Sequence, residues 1–224
     1  MWTSTDGGNT WSPIDNLPFS VLQAFVATPA TPPTLYAGSS DAGLFQSSDG
    51  GNSWTAINNG IPNPAIFQLV INPSNPSVLY AGQNKAYLTA PGEVYRTVDG
   101  GANWSPVYSS ASLLAQIAVD PVQPSTLYAL SALMKKSTDG GNTWLSAPEP
   151  AVQSILVDPS TEGTVYGYAS QQFGPFFPGA PLFYRSTNGA ASWLALSNVN
   201  PAAPGLVADA TTKPATIYAG VGAR

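Results

Sequence analysis

The sequence predicts an all-β fold: a β-propeller of four-stranded antiparallel blades, five in number, closed by a composite blade from both ends of the chain. Three observations predict it. The pattern S/T-x-D-G-G-x-x-W occurs five times, the last copy degenerate. Between the copies a second segment returns, typified by Thr34-Leu35-Tyr36-Ala37-Gly38. An apolar run that closes on a proline or its equivalent precedes that segment, as in Phe67-Gln68-Leu69-Val70-Ile71-Asn72-Pro73. Repeats of this length mark an array of supersecondary units. Four short β-prone segments per unit, repeated about an axis, make a propeller blade.

The first pattern is centred on Asp6, Asp49, Asp99, Asp139 and, in the last copy, Asn188, spaced by 43, 50, 40 and 49 residues. Each copy ends on a tryptophan: Trp11, Trp54, Trp104, Trp144 and Trp193. Within a unit, strand A is the apolar run, such as 24–28 or 116–119, and its near-continuous apolar character fits an inner strand buried on both faces. Pro29, Pro73, Pro121 and Pro159 end it, because proline cannot donate to a ladder. Strand B is the Leu-Tyr-Ala-Gly segment. Strand C leads into the D-G-G pattern, and strand D begins at its tryptophan. The pattern itself reads as the C–D turn. Its glycines supply positive φ, its aspartate accepts hydrogen bonds from the turn, and its tryptophan offers an apolar plate to the neighbouring blade.

The chain enters on a strand C at 1–5 and finishes on strands A and B at 206–209 and 215–222. Joined, these segments complete one blade, and closure removes exposed sheet edges. A single propeller domain over 1–224 follows. The rival readings are a piece of a larger propeller or one member of a ring-completing oligomer.

The S/T-x-D-G-G-x-x-W copies resemble the Asp-box (BNR) repeat of sialidase-like β-propellers. That resemblance implies a turn at the periphery, away from the ligand-binding face, and a scaffold shared by sialidases, other glycoside hydrolases and assembly factors of photosynthetic complexes. A sialidase needs three arginines converging on the substrate carboxylate. The arginines here are Arg96, Arg185 and Arg224, and the first two adjoin D-G-G patterns. No clustered arginine patch of the kind expected of the assembly factors is visible either.

Composition narrows the chemistry further. Hydrophobic residues make up 43% and charged residues 8%, so the chain must bury apolar surface. The net charge of −5 offers no basic stripe for nucleic acid. Cysteine and histidine are absent, which removes disulfides, thiolate metal sites, a cysteine nucleophile and Ser-His-Asp catalysis. No cofactor or metal is expected. No apolar run reaches membrane-spanning length. The chain is either cytoplasmic or a mature piece of an exported protein. Its weakly charged, Ser/Thr/Asn/Gly-rich composition favours export.

Candidate binding residues come from the B–C connections, which share one face with the D–A connections. Two are long: 83–92, with Tyr87, and 170–181, with Phe173, Phe176 and Phe177 among Pro and Gly. Exposed aromatics stack on sugar faces or anchor protein partners; the alternative is that they fold back and plug the face. Gln23, Gln68, Gln116 and Gln153 stand five or six residues before the proline of successive A strands and ring the mouth of the channel. They bind a polar ligand there, or line the channel with water. Lys135, Lys136, Arg96 and Arg185 fall on C strands, where charge stays solvated. Asp120, Asp158 and Asp209 end A strands and read as turn formers. Asp41 and Glu93 are the one carboxylate pair that a glycosidase reading calls on. The expected function is a non-catalytic binding or scaffold propeller that recognises a glycan or a protein surface; the alternatives are a glycoside hydrolase, or its remnant, and an assembly factor.

Overall fold

The computed structural model describes residues 1–62, 65–84, 92–148, 150, 152–169, 183–196 and 205–220, and every regular element in them is a strand. Blade 1 contains β3 (Leu22–Ala27), β4 (Leu35–Ser39), β5 (Gly43–Ser47) and β6 (Thr55–Ala56), preceded by the two-stranded unit β1 (Trp2–Thr3) and β2 (Ser12–Pro13). Blade 2 contains β7 (Ile66–Ile71), β8 (Leu79–Asn84), β9 (Gly92–Thr97) and β10 (Ser105–Ser109). Blade 3 contains β11 (Gln116–Val119), β12 (Leu127–Leu130), β13 (Met134–Ser137) and β14 (Leu145–Ser146). Blade 4 contains β15 (Ser154–Val157), β16 (Val165–Tyr168), β17 (Phe183–Ser186) and β18 (Leu194–Leu196). A last two-stranded unit holds β19 (Gly205–Asp209) and β20 (Thr216–Gly220).

Each blade is an antiparallel meander in strand order A-B-C-D. The inner strands β3, β7, β11, β15 and β19 neighbour one another in chain order. The twenty strands of the described residues are the complement of five four-stranded propeller blades. Four are complete, and the fifth is divided between β1–β2 and β19–β20. No ladder joins these halves among the described residues, so the composite blade expected from the sequence stands as two separate pairs. One consequence is a correction to strand A of blade 1. The run 24–28 was expected to be buried on both faces, but Phe25 is 44% exposed, with no inner strand over its side among the described residues.

The core lies between the blades. Tyr36 and Leu44 of blade 1 pack with Ile66, Leu69, Leu79 and Trp104 of blade 2. Tyr80 and Val94 of blade 2 pack with Ile117 and Leu127 of blade 3. Tyr128 and Leu130 of blade 3 pack with Ile155, Val165 and Ala190 of blade 4. The strand-B segments β4 and β12 are buried along their whole length; β4 is covered by blade 2 on one side and by Phe19 and Phe45 on the other. Burying one such Leu or Val contributes roughly 1.5–3 kcal/mol.

Candidate functional site

The D-G-G turns are held by their own hydrogen bonds. In the turn at Asp49, Oδ1 accepts from the Ser47 hydroxyl (2.8 Å) and the Ser53 amide (2.9 Å), and Oδ2 accepts from the Ser53 hydroxyl (2.6 Å). The Gly51 amide donates to Ser47 Oγ, and the Trp54 indole N–H donates to the Gly51 carbonyl. Gly50 and Gly51 have φ of 74° and 94°, which only glycine adopts without strain. These bonds hold the carboxyl groups of Asp6, Asp49, Asp99 and Asp139 down from the ordinary 3.8 to about 2. The side chain four residues on is the largest cause in every copy: Thr10, Ser53, Asn103 and Thr143. Asn188 keeps the frame by accepting from the Ser192 amide and donating to its hydroxyl. Ala190 there carries a φ of 67°, in a region that glycine occupies in the other copies.

The tryptophans meet the preceding blade, as expected, at Trp104 and Trp144. Trp104 is 4% exposed and its amide donates to the Asn59 carbonyl. The Trp144 indole donates to the Val107 carbonyl at 2.9 Å. Trp54 packs edge-on against Phe19. Trp11 departs from the expectation: it is 59% exposed.

The four glutamines separate into two kinds. Gln68 donates from Nε2 to the Ile117 carbonyl (2.9 Å) and accepts from the Ile117 amide at Oε1 (2.6 Å). Gln116 does the same with Ile155, at 2.9 and 2.8 Å. Each amide thus docks like a one-residue strand onto the inner strand of the next blade. Gln23 and Gln153 are exposed and make no such bridge. Their spacing explains this. Gln68 and Gln116 lie five residues before the proline, Gln23 and Gln153 six. Because side chains alternate across a strand, one residue moves the group to the other face. Ala24 and Ser154 hold the bridging position in blades 1 and 4. That parity was the available signal.

The face carrying the B–C connections is tied to the D–A connections, as expected. Asn84, at the end of β8, donates to the Leu114 carbonyl and accepts from its amide, both at 2.9 Å. Tyr168 and Phe183 flank the longest connection with ring centroids 5.3 Å apart. Tyr87, Phe173, Phe176 and Phe177 lie outside the described residues. Of the two candidate carboxylates, Asp41 is bound by the Ser39 hydroxyl, which lowers its pKa, and Glu93 accepts from the Tyr95 hydroxyl at 2.7 Å. Each is therefore held by a residue of its own blade. Asp120, Asp158 and Asp209 are turn formers, as expected, and accept the amides two residues on.

Of the cations on C strands, Arg185 is exposed as expected, whereas Arg96 and Lys136 are less solvated than expected. Arg96 is half-buried with an unpartnered Nε, and the Lys136 ammonium lies 5.8 Å from the centroid of Tyr128. Sequence reasoning did not find Tyr128, Gln123 or Glu162. They gather with Lys136 and Asp120 around a cavity of about 420 Å³ between blades 3 and 4. Among the described residues no group of acidic side chains suits a metal ion, and no helix is long and apolar enough to cross a membrane.

No protein-family model matches the sequence, and no curated protein matches it. Solved structures do. An ancestral GH74 enzyme superposes with a TM-score of 0.69 at 20% identity, over 93% of this chain and 28% of that one. The GH74 xyloglucanase from Xanthomonas campestris superposes with a TM-score of 0.65 at 16% identity, over 89% of this chain and 33% of that one. YCF48 bound to D1 peptide superposes with a TM-score of 0.53 at 16% identity, over 85% of this chain and 73% of that one. The chain thus spans a third or less of the length of these GH74 enzymes. At such identities the likeness establishes the propeller fold.

Proposed function

We propose that this chain is a non-catalytic binding propeller of the Asp-box type, and that the face of its B–C connections recognises a glycan or a protein segment. One observation carries the reading: the carboxylates of Asp6, Asp49, Asp99, Asp139 and Asp209 are taken up by hydroxyls and amides of their own turns, and Asp41 is bound by the Ser39 hydroxyl. A glycosidase requires a carboxylic acid raised to act as proton donor. These carboxylates instead build the scaffold, which leaves recognition to the long connections. The repeated Ser/Thr–Asp–Gly–Gly hydrogen-bond frame supports the Asp-box assignment. The fold shared with a peptide-bound YCF48 and with a xyloglucanase supports the two partner classes. An extracytoplasmic location rests on composition.

The test is a glycan array that includes xyloglucan, together with a peptide array, probed with the native chain and with a Phe173→Ala/Phe176→Ala/Phe177→Ala variant. A saturable hit that the triple variant loses, at unchanged melting temperature, is expected. No hit on either array, or hits that the variant retains, overturns the proposal. The hydrolase alternative has its own readout. Release of reducing ends from xyloglucan, abolished by Asp41→Asn or Glu93→Gln, favours it over the binding reading.

A further inference from the structure

We propose that the cavity between blades 3 and 4, on the side of the D-G-G turns and remote from the B–C connections, binds a neutral sugar. The first observation is a break in the repeat. In blades 1 and 2 the strand-B tyrosine donates to the first glycine of the next blade's turn: Tyr36 to Gly100 and Tyr80 to Gly140, both at 3.2 Å. Tyr128 occupies the same position in blade 3 and is fully buried, yet its hydroxyl has no hydrogen-bond partner among the described residues. The turn it faces is the degenerate copy, Asn188-Gly189-Ala190. The Lys136 side chain has come in over Gly189, where a Cβ would collide with its Nζ.

The second observation is the cavity itself. Its volume of about 420 Å³ falls in the small-molecule range. Tyr128 and Lys136 face it from blade 3, and Glu162 and Asn188 from blade 4. Gln123 donates to Glu162 across the mouth and so ties the two blades together. Asp120 uses Oδ1 for the amides of Val122 and Gln123, and no described group engages its Oδ2. A buried hydroxyl without a partner costs free energy unless something satisfies it.

The charges select the ligand class. One ammonium and two carboxylates line the cavity. An anion meets Asp120 and Glu162, and a free amine meets Lys136. An apolar ligand strands all of these groups without partners. A neutral polyol offers acceptors to the Tyr128 hydroxyl and the Lys136 ammonium, and donors to the carboxylates.

The experiment is saturation-transfer NMR and calorimetric titration of the full chain with D-glucose, D-galactose, D-mannose and D-xylose. Sodium acetate and sodium phosphate serve as charged probes. At least one sugar is expected to bind saturably. Tyr128→Phe and Lys136→Met each weaken that binding by about tenfold, the scale of one lost hydrogen bond to a ligand. The melting temperature of Tyr128→Phe stays at or above the native value, because its hydroxyl has no bond to lose within the protein and its desolvation cost disappears. Absence of saturable sugar binding overturns the proposal. So does sugar affinity unchanged in both variants, and so does tighter binding of acetate or phosphate than of any sugar.

Discussion

The hydroxyl of Tyr36 donates to the main-chain carbonyl of Gly100, 3.2 Å away and 64 residues along the chain. Tyr80 meets Gly140 in the same way, 60 residues on. These bonds fix the angle between consecutive blades, because they link the middle of one sheet to the turn of the next. They differ at Gln46, whose Nε2 donates both to the Tyr36 hydroxyl, at 3.1 Å, and to the Gly100 carbonyl, at 3.3 Å, whereas no second donor to Gly140 is seen among the described residues.

Tyr80→Phe is therefore expected to destabilise the protein by about 1 kcal/mol, the net worth of one buried hydrogen bond. Tyr36→Phe costs less, because Gln46 still satisfies the carbonyl. Urea denaturation of both variants checks this. Equal losses assign the effect to something other than the carbonyl.

Gln116→Ala leaves both the amide and the carbonyl of Ile155 without their side-chain partner. The expected cost is about 2–4 kcal/mol, from two bonds lost at half-buried positions. Gln153→Ala, on the exposed neighbouring register, stays within about 0.5 kcal/mol of the native chain. The same denaturation series measures both, and a comparable loss at Gln153 contradicts the bridging role of Gln116.

The four D-G-G aspartates set an acid limit. Their folded pKa values of about 2 lie below the ordinary 3.8, so the folded state favours the ionised form. The stability this provides is complete above the unfolded value and disappears as pH falls through the folded one. Thermal melts are expected to be level from pH 7 to pH 5 and to drop between pH 4 and pH 2. Asp139→Asn retains most of the native melting temperature, as Asn188 does in its own copy, and weakens the acid drop. Asp139→Ala lowers the melting temperature at neutral pH. An Ala variant that melts like the native chain removes the turn frame as a source of stability.

The two half-blades leave apolar edges. Val207 and Tyr218 are 65% and 59% exposed at one end, and Trp2, Leu22 and Phe25 are exposed at the other, around a largely apolar hollow. Exposed, unpaired sheet edges associate. Light scattering is expected to show a mass above 23.2 kDa that rises with concentration and falls toward the monomer in Tyr218→Lys. A concentration-independent monomer is the contrary result, and it places the pairing of β1 with β20 within one chain.

The blade plan was legible in the sequence because its determinants are local. Glycines that take positive φ, an aspartate that bonds residues four positions on, and prolines that end a ladder all act within a few residues of themselves. The parity of Gln68 and Gln116 against Gln23 and Gln153 was present too, in the count back from the proline. What that parity means depends on the face the next blade covers, and only the assembled structure supplies that face.

The sequence by itself determined the repeated unit, its strands and its turns. The tertiary structure decided which glutamines bridge blades, why Tyr128 lacks the bond that Tyr36 and Tyr80 make, how Lys136 comes to rest above a buried phenol, and which apolar edges stay open. The physical reason is distance along the chain. Each of those outcomes depends on a contact between residues of different blades, and no local pattern of residues records the angle at which one blade meets the next.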